Sequence, residues 1–281
     1  MFSIRITKKL SLTISFMIMF GYVSLLPPLT ADETADKEDK DNELEVEQAE
    51  SESKLMKSVI GKIKQLPGGD LKLGDIILHR DTKTISFPAE MNLRKGPLEV
   101  LIATSRGRLH ESLLETDIRP LHLQTFLYLL GLDNGARMPS GHDAEEPEGS
   151  SPHQDTSASS READEEEGQG DLVDLDIRWE EDGKTRTRPI EEYIINTHED
   201  RTMKRHGWVF VGSSVKDGKF LADIEGNIAL TWSIGSTVLD IPAEEGIDDS
   251  VYAADPDAGA PEVGDEVTVI ITPRKNEEKD E

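Results

Sequence analysis

The sequence predicts an α+β fold in which antiparallel strands dominate, with one main helix packed on the sheet and disordered acidic insertions. Three observations carry that expectation. Short apolar runs alternate with polar residues, most clearly where Val173, Leu175, Ile177 and Trp179 are interleaved with Asp174, Asp176 and Arg178. One longer pattern is helical: Pro120 follows Thr116 and Asp117, Leu123, Phe126, Leu127 and Leu130 recur at three-and-four spacing, and Gly131 supplies a stop. Two stretches, 32–53 and 139–170, are rich in acids and poor in residues that enter a core.

Arg5, Lys8 and Lys9 precede an apolar run over about 10–26, and Leu29, Thr30 and Ala31 end it with a small residue, so 1–31 reads as a signal peptide. The alternative is an uncleaved anchor; Ser11, Thr13, Ser15 and Gly21 interrupt the run, and Pro27 and Pro28 close it. The expected location is therefore the periplasm, cell envelope or exterior, with no membrane insertion after cleavage. Residues 32–69 read as an acidic spacer with a short helix, and Pro67, Gly68 and Gly69 place the start of the folded domain near residue 70. Strands are expected over 76–79, 84–87, 98–103 and 109–114, with the helix over 120–130. Beyond the insertion a strand over 172–179 turns at Asp182 and Gly183, and Pro189 opens a short helix carrying Ile190 and Tyr193. Strands over 208–212, 219–222, 227–233, 238–241 and 266–271 follow, with Asp217 and Gly218 as a second hairpin turn. One domain over 70–272 results, and the charged residues from 273 onward are expected to fray from Arg274.

Composition removes several function classes. The chain holds 57 acidic and 31 basic residues, a formal charge of −26, which repels nucleic acid phosphates. With no cysteine, disulfides, thiolate nucleophiles, iron-sulfur clusters and a lipid-anchored amino terminus are all excluded.

The segments ISFPAEMN (85–92), GPLEVLIATSRGRLHESLLETD (96–117), LYLLGLDNGA, WVFVGS (208–213), ADIEGN (222–227) and PEVGDEVTV (261–269) together resemble the YdjY-like family of exported bacterial proteins. The resemblance spans about 72–272, apart from the acidic insertion. It implies an exported domain without an assigned activity. A ferredoxin-like label attached to parts of that family has no physical support here, because no thiolate is present to bind a cluster.

The adjacent His110 and Glu111, with His122 nearby in sequence, form the candidate metal set: two imidazoles and a carboxylate suit zinc, manganese or iron. Strand alternation opposes this, since it points His110 and Glu111 to opposite faces unless a bulge intervenes. The competing reading pairs Glu111 with Arg106 or Arg108. His198 and His206 lack the helical His-Glu-x-x-His spacing, and Asp174, Asp176, Asp248, Asp249, Asp255 and Asp257 lack an EF-hand loop, so both groups read as solvated. No G-x-S-x-G, G-x-G-x-x-G or phosphate loop occurs. The expected function is a non-catalytic binding or interaction module facing a protein or cell-envelope partner, with Trp208 or Tyr252 as aromatic anchors. The alternative is a metal-binding protein or metal-dependent hydrolase centred on His110, Glu111 and His122.

Overall fold

The structure, a computed structural model, describes residues 54–135 and 170–274 apart from 234, 243–245 and 247. The expected signal peptide, most of the expected acidic spacer, the expected insertion up to 169 and the tail beyond Arg274 lie outside the described residues.

Strands dominate. In chain order they are β1 (Lys64–Gln65), β2 (Leu71–Leu73), β3 (Ile76–His79), β4 (Thr84–Met91), β5 (Gly96–Pro97), β6 (Val100–Ala103), β7 (Ser112–Glu115), β8 (Leu172–Glu181) and β9 (Lys184–Pro189). The second half adds β10 (Ile194–Asn196), β11 (Arg201–Thr202), β12 (Trp208–Phe210), β13 (Val215–Lys216), β14 (Lys219–Phe220), β15 (Asn227–Leu230), β16 (Leu239–Asp240), β17 (Tyr252–Ala254) and β18 (Glu266–Pro273). Helices are few: α1 over 54–60, α2 (Pro120–Leu129) and α3 (Leu221–Glu225), with 3-10 turns at Leu109–Glu111 and Ile190–Tyr193.

Strands β4, β18, β8, β12, β16, β15, β6 and β7 pair in that order, and β7 pairs back onto β4, so eight strands close into a barrel. The β15–β16 and β6–β7 pairs are parallel and the other pairs of the ring antiparallel. Period-two alternation fixes which face turns inward. The register aligns Ile85, Ile271 and Leu175 in one row and Phe87, Val269 and Ile177 in the next, all at most 1 % exposed. Strands β1 to β3 extend the sheet from β4, and β9 folds back on β8 through Asp182 and Gly183. Both turn residues have positive φ, 51° and 68°, and Asp217 and Gly218 repeat the pattern at 52° and 69°, the backbone that favours Asp-Gly in two-residue hairpins. A separate four-stranded sheet runs β11-β10-β17-β5.

Helix α2 buries Leu121, Leu123, Phe126 and Leu127 in the main core, and Tyr128 meets Phe210 of β12 edge-on at 5.1 Å. Thr125 also reaches the Met56 sulfur of α1 at 3.6 Å.

Four local expectations change. The core begins earlier than residue 70, since Val59 is fully buried. The strand expected over 109–114 is a 3-10 turn followed by β7, because Leu109 folds down onto Val100, Ala103 and Leu230 on the outer side of the barrel. The apolar run at 219–222 splits into β14 and α3. Arg274 does not fray: its guanidinium donates to Asp174 at 2.8 Å and to the carbonyls of His206 and Arg205 at 2.6 and 2.9 Å.

The closing seam is short, pairing Glu90 with Glu115 and Met91 with Leu114. Side chains reinforce both ends. The Asn92 amide donates to the carbonyls of Leu109 and Ser112 at 2.5 and 2.7 Å, while the Thr116 hydroxyl donates to Pro88 at 2.6 Å. Asn92→Ala leaves two carbonyls without this donor, and chemical denaturation is expected to show a loss of about 1–3 kcal/mol.

Candidate functional site

Segments far apart in sequence meet at the amino end of α2. The first contact is between two glycines. Gly226 ends α3 with φ 78°, and a Cβ built on it would lie 2.3 Å from the Gly107 nitrogen; one on Gly107 would lie 2.9 Å from the Gly226 oxygen. With Thr104 donating its N–H to Gly226 at 2.8 Å, the turn at 104–107 is held flat against the end of α3.

From α3, Asp223 crosses to α2. Its carboxylate accepts the Leu121 N–H at 3.0 Å and the Arg119 Nε–H at 2.5 Å. Arg119, the residue that opens α2, makes no side-chain cap, so Asp223 supplies the negative charge that free N–H groups at a helix start favour. A second tie lies deeper. Fully buried Gln124 accepts the Ser213 N–H at 2.7 Å and donates to the Ser213 carbonyl at 3.2 Å, while the Ser213 hydroxyl accepts the Ala222 N–H at 2.9 Å. The SRGR, DIRP, VGSS and ADIEGN stretches thus form one structure.

Between these pieces opens a cleft of about 460 Å³, bounded by Thr104, Arg106, Ile118, Arg119, Lys219 and Ile224. Arg106 and Lys219 are exposed and form no ion pair among the described residues, whereas Arg119 is fixed by Asp223. Arg106, Arg119 and Lys219 stand against Asp117 and Asp223 around this opening, so the cleft carries a small positive balance in a chain with a large acidic excess. Ile224, 49 % exposed, adds an apolar wall, and no histidine lines the cleft. Cationic donors beside an apolar wall suit capture of an anionic group with an apolar body; a nucleophile with an imidazole base is not assembled there.

The 3-10 turn, not a strand, positions His110 and Glu111, and it brings them together: His110 Nε2 lies 3.4 Å from Glu111 Oε2. His110 remains 75 % exposed. Glu111 also faces Glu99, which is bound by Arg108; burial raises the Glu99 pKa, the Arg108 hydrogen bond opposes that, and Glu111 adds to it. His122 does not join them. It sits in α2 against Gly74, where a Cβ would come within 3.0 Å of Nδ1, and burial, then the charge of Arg119, lowers its pKa against the opposing pull of Asp223. Among the described residues no three His, Asp or Glu side chains are grouped to hold a metal ion. Asp248 and Asp255 instead accept N–H groups two residues ahead, of Ser250 and Asp257, as turn formers.

The expected aromatic anchors are also displaced. Trp208 is fully buried, with its indole N–H donating to Leu230 at 3.0 Å, and Tyr252 is 3 % exposed. A wider groove of about 730 Å³ runs past β4, β7, β8 and β18, where Glu266, Glu90 and Glu115 stand in one cross-strand row. Like charges directly opposite one another oppose the pairing they sit on. No helix among the described residues is long and apolar enough to cross a membrane.

No protein-family model, curated protein or solved structure matches the chain. The site thus rests on geometry. Of Arg106, Arg119, Lys219 and Asp223, the sequence pointed only to Arg106, as a candidate partner of Glu111; Asp223 lies in the ADIEGN stretch, but no local pattern announces its meeting with Arg119.

Because Gly226 combines a left-handed backbone with contact against Gly107, Gly226→Ala is expected to cost more than about 1 kcal/mol and to loosen the turn at 104–107. Thermal melting and hydrogen exchange over 104–107 check this.

Proposed function

We propose that the protein is an exported, non-catalytic binding module of the cell envelope that receives its partner at the cleft beside α2. Export is supported by the basic start, apolar run and small-residue ending of residues 1–31. One observation carries the functional reading. Gly107, Gln124, Ser213, Asp223 and Gly226 are all spent on shaping one cleft, and that cleft presents Arg106 and Lys219 uncommitted.

A photo-crosslinking residue placed at Lys219 in the full chain, in the native envelope, is expected to capture a defined adduct. The same residue at the exposed Lys184 of β9 is expected to give none, and Arg106→Ala is expected to diminish the Lys219 adduct. Equal labelling at both positions, or none at Lys219, refutes the cleft as the binding face.

The second reading is a metal-binding protein or metal-dependent hydrolase at His110 and Glu111, with His122 as the third ligand expected from sequence. The approach of His110 to Glu111 favours it, with Glu99 the nearer companion. It predicts about one equivalent of a transition metal in protein purified without chelators, lost in His110→Ala. The binding-module reading predicts metal-free protein whose melting is unmoved by zinc, manganese or calcium, read by elemental mass spectrometry and thermal melting.

A further inference from the structure

The chain leaves the barrel sheet after β9, enters the four-stranded sheet at β10, and returns from β11 to the barrel at β12. The outgoing passage is the 3-10 turn Ile190–Tyr193, and the returning one is the segment 203–207. Both pass over the outer face of β8, where Asp174 and Asp176 point out two residues apart.

Glu191 on the outgoing turn is 2 % exposed, and neither carboxyl oxygen has a well-formed hydrogen bond to another residue among the described residues, its own backbone N–H being the nearest donor. A buried polar group left so requires an explanation. Its nearest cation is Arg205 on the returning segment, with Nη1 3.8 Å away. Arg205 is already committed, at 3.0 Å to Asp176 and 3.5 Å to Asp174, and Arg274 holds Asp174 from the end of β18 at 2.7 Å. Three carboxyl groups therefore face two guanidinium groups, and the charges balance only when Glu191 carries a proton. Protonation of Glu191 is the change that removes the excess negative charge without breaking an existing ion pair.

We propose that Glu191 and Arg205 form a pH-operated latch joining the outgoing and returning passages between the barrel and the four-stranded sheet. With Glu191 protonated, the turn packs as a neutral element and Arg205 stays on Asp174 and Asp176. Once Glu191 ionises, its buried charge is only partly met by Arg205, which Asp174 and Asp176 already hold, and those aspartates repel it, so opening to water is favoured. Burial pushes the Glu191 carboxyl up to about 7, with its own backbone N–H and then Arg205 opposing and Asp174 and Asp176 reinforcing the rise. The folded form thus holds this proton more tightly than the open form, so closure weakens as pH climbs from the ordinary glutamate range through about 7 and levels off above it.

The other charged groups here have separate partners. Glu192 faces Arg188 at 3.6 Å, and His206 bonds the Gly207 carbonyl through Nδ1 at 2.8 Å and leans on Trp208.

The test is hydrogen exchange by mass spectrometry on the full chain between pH 5 and 8.5, corrected for the intrinsic pH dependence of exchange. Opening of residues 190–206, relative to β18, is expected to rise about tenfold between pH 6 and pH 8. In Glu191→Gln, a neutral isostere, the rise is expected to disappear although His206 is retained. Peptides covering β16 are followed separately, because burial also pushes Asp240 up, to about 6. Should Glu191→Gln fail to fold, Arg205→Met is the second arm: removing the cation is expected to move the midpoint of the rise to higher pH. A flat wild-type profile, an undiminished rise in Glu191→Gln, or an unmoved midpoint in Arg205→Met overturns the latch.

Discussion

The constraint on which the architecture depends is the closure of eight strands at a seam only two residue pairs long. A barrel removes the edges an open sheet exposes, but its last pair must be made in register with everything preceding it. Here the closing strands β4 and β7 place Glu90 against Glu115, a repulsive pair on the outer face, beside Met91 and Leu114, which are buried. Burial and the carbonyl ties from Asn92 and Thr116 outweigh the repulsion. Since β7 also runs parallel to β6, the connection between them must reverse within a few residues. It does so by the glycine turn and the 3-10 turn that set out Arg106, His110 and Glu111, so closing the ring and displaying these side chains are one structural problem.

The cleft follows from a second problem, how a short helix and a long one share an interface. Helix α3 is too short to stand alone, and it is fixed by spending its polar residues on its neighbours. Asp223 serves the start of α2, and the Ala222 N–H goes to Ser213. The polar residues that a sequence-level search for chemistry would select are thus mostly structural. What is left over for a partner is the pair that the fold does not consume.

Legibility in the sequence followed interaction range. The two Asp-Gly turns, α2 and the long strands β8 and β18 were readable because each is specified by its own alternation or by residues within a few positions, whereas only 84–87 of β4 was, its continuation through Pro88 to Met91 going unread. Closure into a barrel was not, since β4–β7 and β15–β16 are pairings that no local pattern announces. Leu109 to Leu114 misled for a definite reason: Leu109 is apolar because it covers the outside of β6, not because it belongs to a strand. Trp208 and Tyr252 look like anchors when exposure is unknown, and the core takes both. Strand alternation set His110 and Glu111 on opposite faces, whereas the 3-10 turn brings their side chains together, and His122 sits apart on the helix that carries it.

Where the chain crosses the gap between residues 135 and 170, its two ends are already joined. The Asp171 N–H donates to the Asp133 carbonyl at 2.7 Å and the Asp133 N–H to the Asp171 carboxylate at 2.8 Å, while Gly170 lies so close to Phe210 that a Cβ there would fall 1.9 Å from its carbonyl oxygen. Because the entropy of closing a flexible loop grows only with the logarithm of its length, lengthening a connection between such clasped ends costs little. The positions of residues 135 and 170 are thus set by hydrogen bonds within the barrel, from Asp133 to Asp171 and from Asn134 to the Val211 carbonyl, rather than by the chain that joins them.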